Sequence, residues 1–161
     1  MTRRILELDK KEDEKILRKS NKPFDFDKHS KTDIEQLIKE MRKIMEDADG
    51  VGLAGPQIGL NESVFVAKWD NKFYAFFNPK IEKYSKEEDL REEGCLSIPG
   101  KYGETSRAVK ITLVAQNKQG KIVKVKAWGM LAIIFQHEVD HLNGKLFVDR
   151  MEKKGKLRGS I

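Results

Sequence analysis

The chain has 161 residues, a length that suits one domain able to bury its own core. Hydrophobic residues make up 39% and charged residues 36%, which excludes a chain disordered throughout; no run of 18 apolar residues occurs, which excludes a spanning helix. The net charge is +6 with both signs mixed along most of the chain, and the single cysteine, Cys95, excludes an internal disulfide.

The N-terminal stretch MTRRILELDKKEDEK has no apolar h-region or cleavage site and is too acidic for a transit peptide. The expected location is therefore a reducing cytoplasm, bacterial-type rather than organellar, with no membrane partner. Residues 1–30 read as irregular, with a short helix around Lys11 to Arg18. Thr32-Asp-Ile-Glu35 reads as a capping box. Ile34, Leu37, Ile38, Met41, Ile44 and Met45 then repeat at helical spacing to about Asp47, with Gly50 as the stop. Strand-like runs follow at Ser63–Trp69, Phe73–Asn78, Ile81–Tyr84, Val109–Gln116 and Ile122–Ala127. Asn117 and Gly120 bracket a turn, so the last two form a hairpin. The charged segment 82–93 reads as a solvated connection. Residues 128–143 form a second helix, with Gly144 as its C′ residue. The expected fold is α+β, with mixed or antiparallel sheets packed around that second helix and one N-terminal helix, in a single domain spanning 1–161.

Gly50-Val-Gly52-Leu-Ala-Gly55 fits the dinucleotide fingerprint G-x-G-x-x-G. The context contradicts it. A helix precedes Gly50 where a strand is required, Pro56 and Gly59 oppose a helix after it, and no acidic residue follows at the required distance. The glycines read either as a helix terminator with a tight turn, or as an edge where a peptide backbone lies close.

Gln136-His137-Glu138-Val139-Asp140-His141 carries the strongest chemistry. His137 and His141, at i and i+4, share one helical face and can share one divalent metal, with Glu138 placed to act on the metal's water. Met130, Ile133 and Ile134 continue the same face, so the metal lies at the end of an apolar stripe. Two histidines leave such a site one protein ligand short. Cys95, in EEGCLSIPG, is the candidate; Asp149 and Glu152 are alternatives in a polar tail.

GVGLAGPQ, EGCLS and QHEVDH, in this order, resemble the three signature motifs of the peptide deformylases, and the likeness runs from about residue 4 to 150. Gly55 departs from the usual second alanine of the first motif. The resemblance implies a metal-dependent hydrolase that removes the N-formyl group from the formylmethionine of newly made polypeptides and releases formate. It implies metal ligands Cys95, His137 and His141, with Glu138 as general acid/base for the attack of metal-activated water. It implies that Gln57 and the Leu96 backbone N–H stabilise the developing oxyanion. One divalent metal per chain is expected, Fe²⁺ natively, with Zn²⁺, Ni²⁺ or Co²⁺ able to substitute. Val51 and Gly52 then read as a peptide-binding edge. Met130, Ile133 and Ile134 read as a pocket for the methionine side chain, with core packing the alternative for the two isoleucines.

An ion pair between Glu93 and Arg107 would hold the Cys95 segment. Gly55 and Tyr102 are the positions to examine for acyl-group preference. Two rival readings are a zincin-type endopeptidase and a non-catalytic binder of ribosomal RNA. The basic end, Lys153, Lys154, Lys156 and Arg158, would support a transient ribosome contact. No basic stripe interleaved with aromatics occurs along the chain, and no specific DNA binding is expected.

Overall fold

The computed structural model describes residues 3–151 and 157–159. Helix α1 is Lys11–Leu17, α2 is Lys31–Asp47 and α3 is Gly129–Leu142. Strands are β1 Gly52–Ala54, β2 Val64–Trp69, β3 Lys72–Tyr84, β4 Glu88–Cys95, β5 Ile98–Ala108, β6 Lys110–Gln116, β7 Ile122–Trp128 and β8 Arg158–Gly159. The fold is α+β, and every strand pairing among the described residues is antiparallel. One sheet has the order β1-β2-β3-β6-β7 and the other β4-β5-β8. No described helix is long and apolar enough to cross a membrane.

The interior strand β2 is buried on both faces over most of its length, and its alternating residues feed two cores. Phe65 and Ala67 pack with Phe76, Leu113 and the α3 residues Phe135 and Val139. Val64 and Val66 pack with Leu53, Phe77 and the α2 residues Met41 and Met45. Helix α3 is therefore enclosed, apolar on most sides, whereas α2 shows charge to solvent.

Several boundaries differ from expectation for local reasons. The capping box that opens α2 uses Ser30 and Asp33, not Thr32 and Glu35. Ser30 has the extended backbone that a cap requires, while Thr32 already lies in the first turn. The left-handed residue after α2 is Asp49 (φ 56°), not Gly50. Gly50 is needed for another reason: a Cβ there would lie 2.6 Å from Leu96 Cδ1. The two runs at 73–78 and 81–84 are one strand, β3, with register shifts between Phe77 and Ile81 and beyond. Segment 82–93 is not a connection throughout, because Glu88–Cys95 is a strand paired with β5, which the sequence reading omitted. The turn around Asn117 and Gly120 and the left-handed Gly144 (φ 74°) stand as expected.

Asp13, on α1, accepts both forks of Arg4 at 2.7 Å and the Glu7 N–H at 2.9 Å. The Arg4 bonds, then the backbone bond, hold its carboxyl down at about 2, against an ordinary 3.8. A depressed carboxyl adds stability that is full above pH 3.8 and is lost as the pH falls toward 2. Asp13→Asn is expected to flatten the acid loss of stability across that window, read from urea midpoints above and below it. An unchanged pH slope would contradict the role given to this clamp.

Candidate active site

The β4–β5 hairpin turns over Leu96 and Ser97, which puts Cys95 at its tip. The tip points at α3. Cys95 Sγ lies 3.3 Å from His141 Nε2, and that nitrogen lies 3.1 Å from His137 Nε2. One donor atom from each of the three residues falls within 4.8 Å of the others. Glu138 is buried beside them, and its Oε1 has no hydrogen-bond partner.

His137 Nδ1 donates to Glu93 Oε1 at 2.9 Å, since a carboxylate can only accept. That contact fixes the tautomer and turns the Nε2 lone pair toward Cys95. Burial pushes the Glu93 carboxyl up, but bonds from His137 and Arg107 and the Arg107 charge hold it well below the usual range. Arg107, on β5, donates through Nε and Nη2 to Glu93 at 2.8 and 3.0 Å and through Nη1 to Asp140 of α3 at 2.6 Å. Thr105 also donates to Glu93. Asp140 is further held by Arg150. The Glu93–Arg107 pair expected from sequence is thus present, and it ties hairpin to helix. Burial opposes the Arg107 charge, yet both carboxylates hold its pKa above the ordinary value. Gln136 adds a second tie, bonding both the N–H and the C=O of Ala108.

Three titration shifts describe the pocket. Burial opposes charge on His137, but bonds to Cys95 and Glu93 outweigh it and raise the pKa well above 6.5. Burial, then the His137 and Arg107 charges, hold His141 well below 6.5 and keep it neutral. Burial raises Glu138 to about 7. Tetrahedral coordination would separate the nitrogens by about 3.3 Å and sulfur from nitrogen by about 3.6 Å. The observed 3.1 and 3.3 Å lie slightly inside those spacings, and all three donor atoms fall within 4.8 Å, close enough to share one cation.

Gln57 is buried in the short 3-10 turn after β1. Its Oε1 accepts from the Ala54 N–H, which aims Nε2 at Ser97 Oγ (3.1 Å) and Cys95 Sγ (3.5 Å). Sequence reasoning missed Ser97 and Asp140 as partners, although both sit inside the quoted motifs. Asp149, an alternative ligand, is instead engaged by Arg18 and the Leu146 N–H; Glu152 lies outside the described residues.

A cavity of about 550 Å³ opens over this cluster, lined by Val51, Gly52, Leu96, Met130, Ile133 and Ile134 among others. All five substrate-side positions expected from sequence meet there. Ile134 also belongs to the core around Phe135. Tyr102 lines the cavity and covers Gly94. Gly55 does not line it: a Cβ there would meet the Glu62 carbonyl oxygen at 2.7 Å. Its glycine answers a backbone approach, not an acyl group. A Cβ on Gly52 would strike the Glu138 carboxylate. Gly52→Ala is expected to displace Glu138 and lower kcat about 10²-fold, the usual cost of a misplacement near 1 Å. Steady-state kinetics with metal analysis would check it; a kcat within twofold of wild type would contradict it.

A carboxylate beside a thiol and two imidazoles, at the end of an apolar cleft in an α+β scaffold, defines a metal-dependent hydrolase centre. The family model for polypeptide deformylase matches residues 3–157. The peptide deformylase of Natranaerobius thermophilus is 39% identical over 143 residues, 88% of this chain and 89% of that protein. The crystal structure of the Thermotoga maritima peptide deformylase aligns with a TM-score of 0.86 at 36% identity, over 94% of this chain and 99% of that one. A Synechococcus elongatus peptide deformylase in complex with actinonin aligns with a TM-score of 0.84 at 35% identity, over 94% and 80%. The chain belongs to the polypeptide deformylase family.

Proposed function

We propose that this chain removes the formyl group from the N-terminal formylmethionine of newly made polypeptides and releases formate, as one catalytic unit over residues 1–161. The convergence of Cys95, His137 and His141 beside Glu138, at the end of the apolar cleft, carries this reading. Cys95 Sγ and the two Nε2 atoms would hold one divalent cation. A thiolate with two imidazoles suits Fe²⁺ or Zn²⁺, with Ni²⁺ or Co²⁺ as substitutes, and Fe²⁺ is the native ion in this reading. When bound, such a cation makes water more acidic and polarises the formyl carbonyl.

The chain's own groups do the rest. Glu138, ionised, takes a proton from the attacking water and then gives it to the leaving amine nitrogen. Gln57 Nε2 and the Leu96 N–H donate to the formyl oxygen as it gains charge; each donor is worth about 10²–10³ in rate. The Lys68 N–H bonds the Val51 carbonyl, and alternate strand residues point opposite ways. Gly52 therefore turns its N–H and C=O away from β2, where an extended substrate can add as a strand. Met130, Ile133 and Ile134 receive the methionine side chain.

Cytoplasm is the proposed place of action. The proposed ribosome contact does not gain from Arg158, whose guanidinium is taken up by Glu92 and Glu104. Lys153, Lys154 and Lys156 lie outside the described residues. Mass analysis of N-formyl-Met-Ala-Ser and of a longer unformylated peptide, after incubation with metal-loaded protein, tests the substrate. Loss of the formyl group alone is expected; cleavage of internal bonds would favour an endopeptidase.

A further inference from the structure

The sheet face opposite α3 is covered unevenly. Helix α2 covers it over β1, β2 and part of β3, where Leu53, Val64, Val66 and Phe77 meet Met41 and Met45. Along β7 and at Lys110 that face is exposed, while Thr112 of β6 is buried between its neighbours. Along β7, Val123, Val125 and Ala127 turn inward, while Ile122, Lys124, Lys126 and Trp128 alternate outward.

Pairing registers assemble the outward residues into rows. Lys110 stands beside Trp128; Lys83 and Lys126 flank Thr112; Lys80 and Lys124 flank Val114. Rows on one face repeat every two residues, about 7 Å. Of these five lysines, only Lys124 has an ion-pair partner among the described residues, Glu82 at 3.1 Å. Lys83, Lys110, Lys126 and Trp128 share a shallow groove whose described lining contains no Asp or Glu. Trp128 is 70% exposed.

Lysines on an edge strand guard against unwanted pairing, which explains the charge on β7. It does not explain a bare indole next to three lysines drawn from three strands. A flat aromatic surface ringed by unpaired ammonium groups fits a single-stranded nucleic acid, whose bases stack while its phosphates meet the cations. An acidic protein segment would use the lysines but not the ring. We propose that this groove of β3, β6 and β7 binds single-stranded RNA. The choice of RNA over DNA rests on the reading that the substrates are newly made polypeptides, which emerge from an RNA-built machine. The sequence shows no such stripe because Lys83, Lys110 and Trp128 meet only through strand pairing.

The test is fluorescence anisotropy of metal-loaded protein with a short labelled single-stranded RNA, between about 50 and 200 mM salt. Lys83→Ala/Lys110→Ala/Lys126→Ala is expected to lower the slope of log K against log salt by about 2, at roughly 0.7 per lost phosphate contact. Trp128→Ala is expected to weaken binding about tenfold, within the range for one stacked base. Formate release by the lysine variant should equal wild type, which controls for folding. In Trp69→Phe, which leaves Trp128 as the sole indole, RNA should quench the emission. No binding at low salt would overturn the proposal. So would equal binding by polyglutamate without quenching, which would mark an acidic protein site, and so would equal affinity for single-stranded DNA. RNA binding by a wild type that releases no formate would sink the deformylase reading and leave this one standing.

Discussion

Replacing Glu138 with Gln is expected to lower kcat for formate release by about 10²–10⁴ while leaving one metal per chain. The substitution keeps the shape of the side chain and removes its capacity to take and return a proton. Its neighbours explain why little else should change. Glu138 holds no ion pair among the described residues, and its Oε1 has no partner. Burial raises its pKa from 4.5 to about 7 in the absence of a cation, so the folded state holds the proton more tightly than the unfolded one. The stability tied to that proton is full below pH 4.5 and is lost as the pH rises through 7. Metal-free Glu138→Gln should therefore melt progressively higher than metal-free wild type as the pH passes from 5 to 8. A bound cation favours the anion, so the acid limb of kcat/KM in the loaded enzyme should fall below about 7. Unchanged kcat in Glu138→Gln would remove this residue from the chemistry.

Arg107→Ala is expected to cost about 3–5 kcal/mol of stability, because it removes the buried cation that two buried carboxylates share and leaves them only His137, Thr105 and Arg150. Glu93 and Asp140 lose their shared partner, at 2.8 and 2.6 Å. The effect should reach the metal. Glu93 orients His137, and loss of such an outer contact commonly weakens metal affinity 10–100-fold. Arg107→Lys keeps the charge without the planar fork and should recover only part of each loss. The sign with pH follows from Glu93, whose carboxyl is depressed. Wild type's advantage over Arg107→Ala should be full above about pH 4.5 and shrink as the pH falls below it. Thermal melts and metal titrations measure both effects. Equal melting temperature and equal metal affinity would mean that the network carries neither.

What could be read from the sequence was what is local. His137, Glu138 and His141 share a helix face through backbone geometry alone, so their grouping needed no tertiary knowledge. The β6–β7 hairpin showed through its Asn-to-Gly turn. The β4–β5 hairpin did not show, because most of β4 is exposed and the run EEDLREE has no apolar alternation. Strand β3 read as two because Asn78, at positive φ, and the bulges after it interrupt the period. The glycines were recognised as needing a reason, but the reason is a distant contact. Gly50 meets Leu96, Gly52 meets Glu138, and Gly55 meets Glu62. Asp140 carries no signal of its own in QHEVDH, because its partners Arg107 and Arg150 lie 33 and 10 residues away and meet it only in the fold.

The most direct measurement is a metal titration of chelator-treated protein under anaerobic conditions, with formate release from N-formyl-Met-Ala-Ser as the readout. The account predicts no formate without metal, a linear rise with added Fe²⁺, and a plateau at one equivalent per chain. Full activity in metal-free protein, or no formate from protein holding one Fe²⁺ per chain, would contradict it.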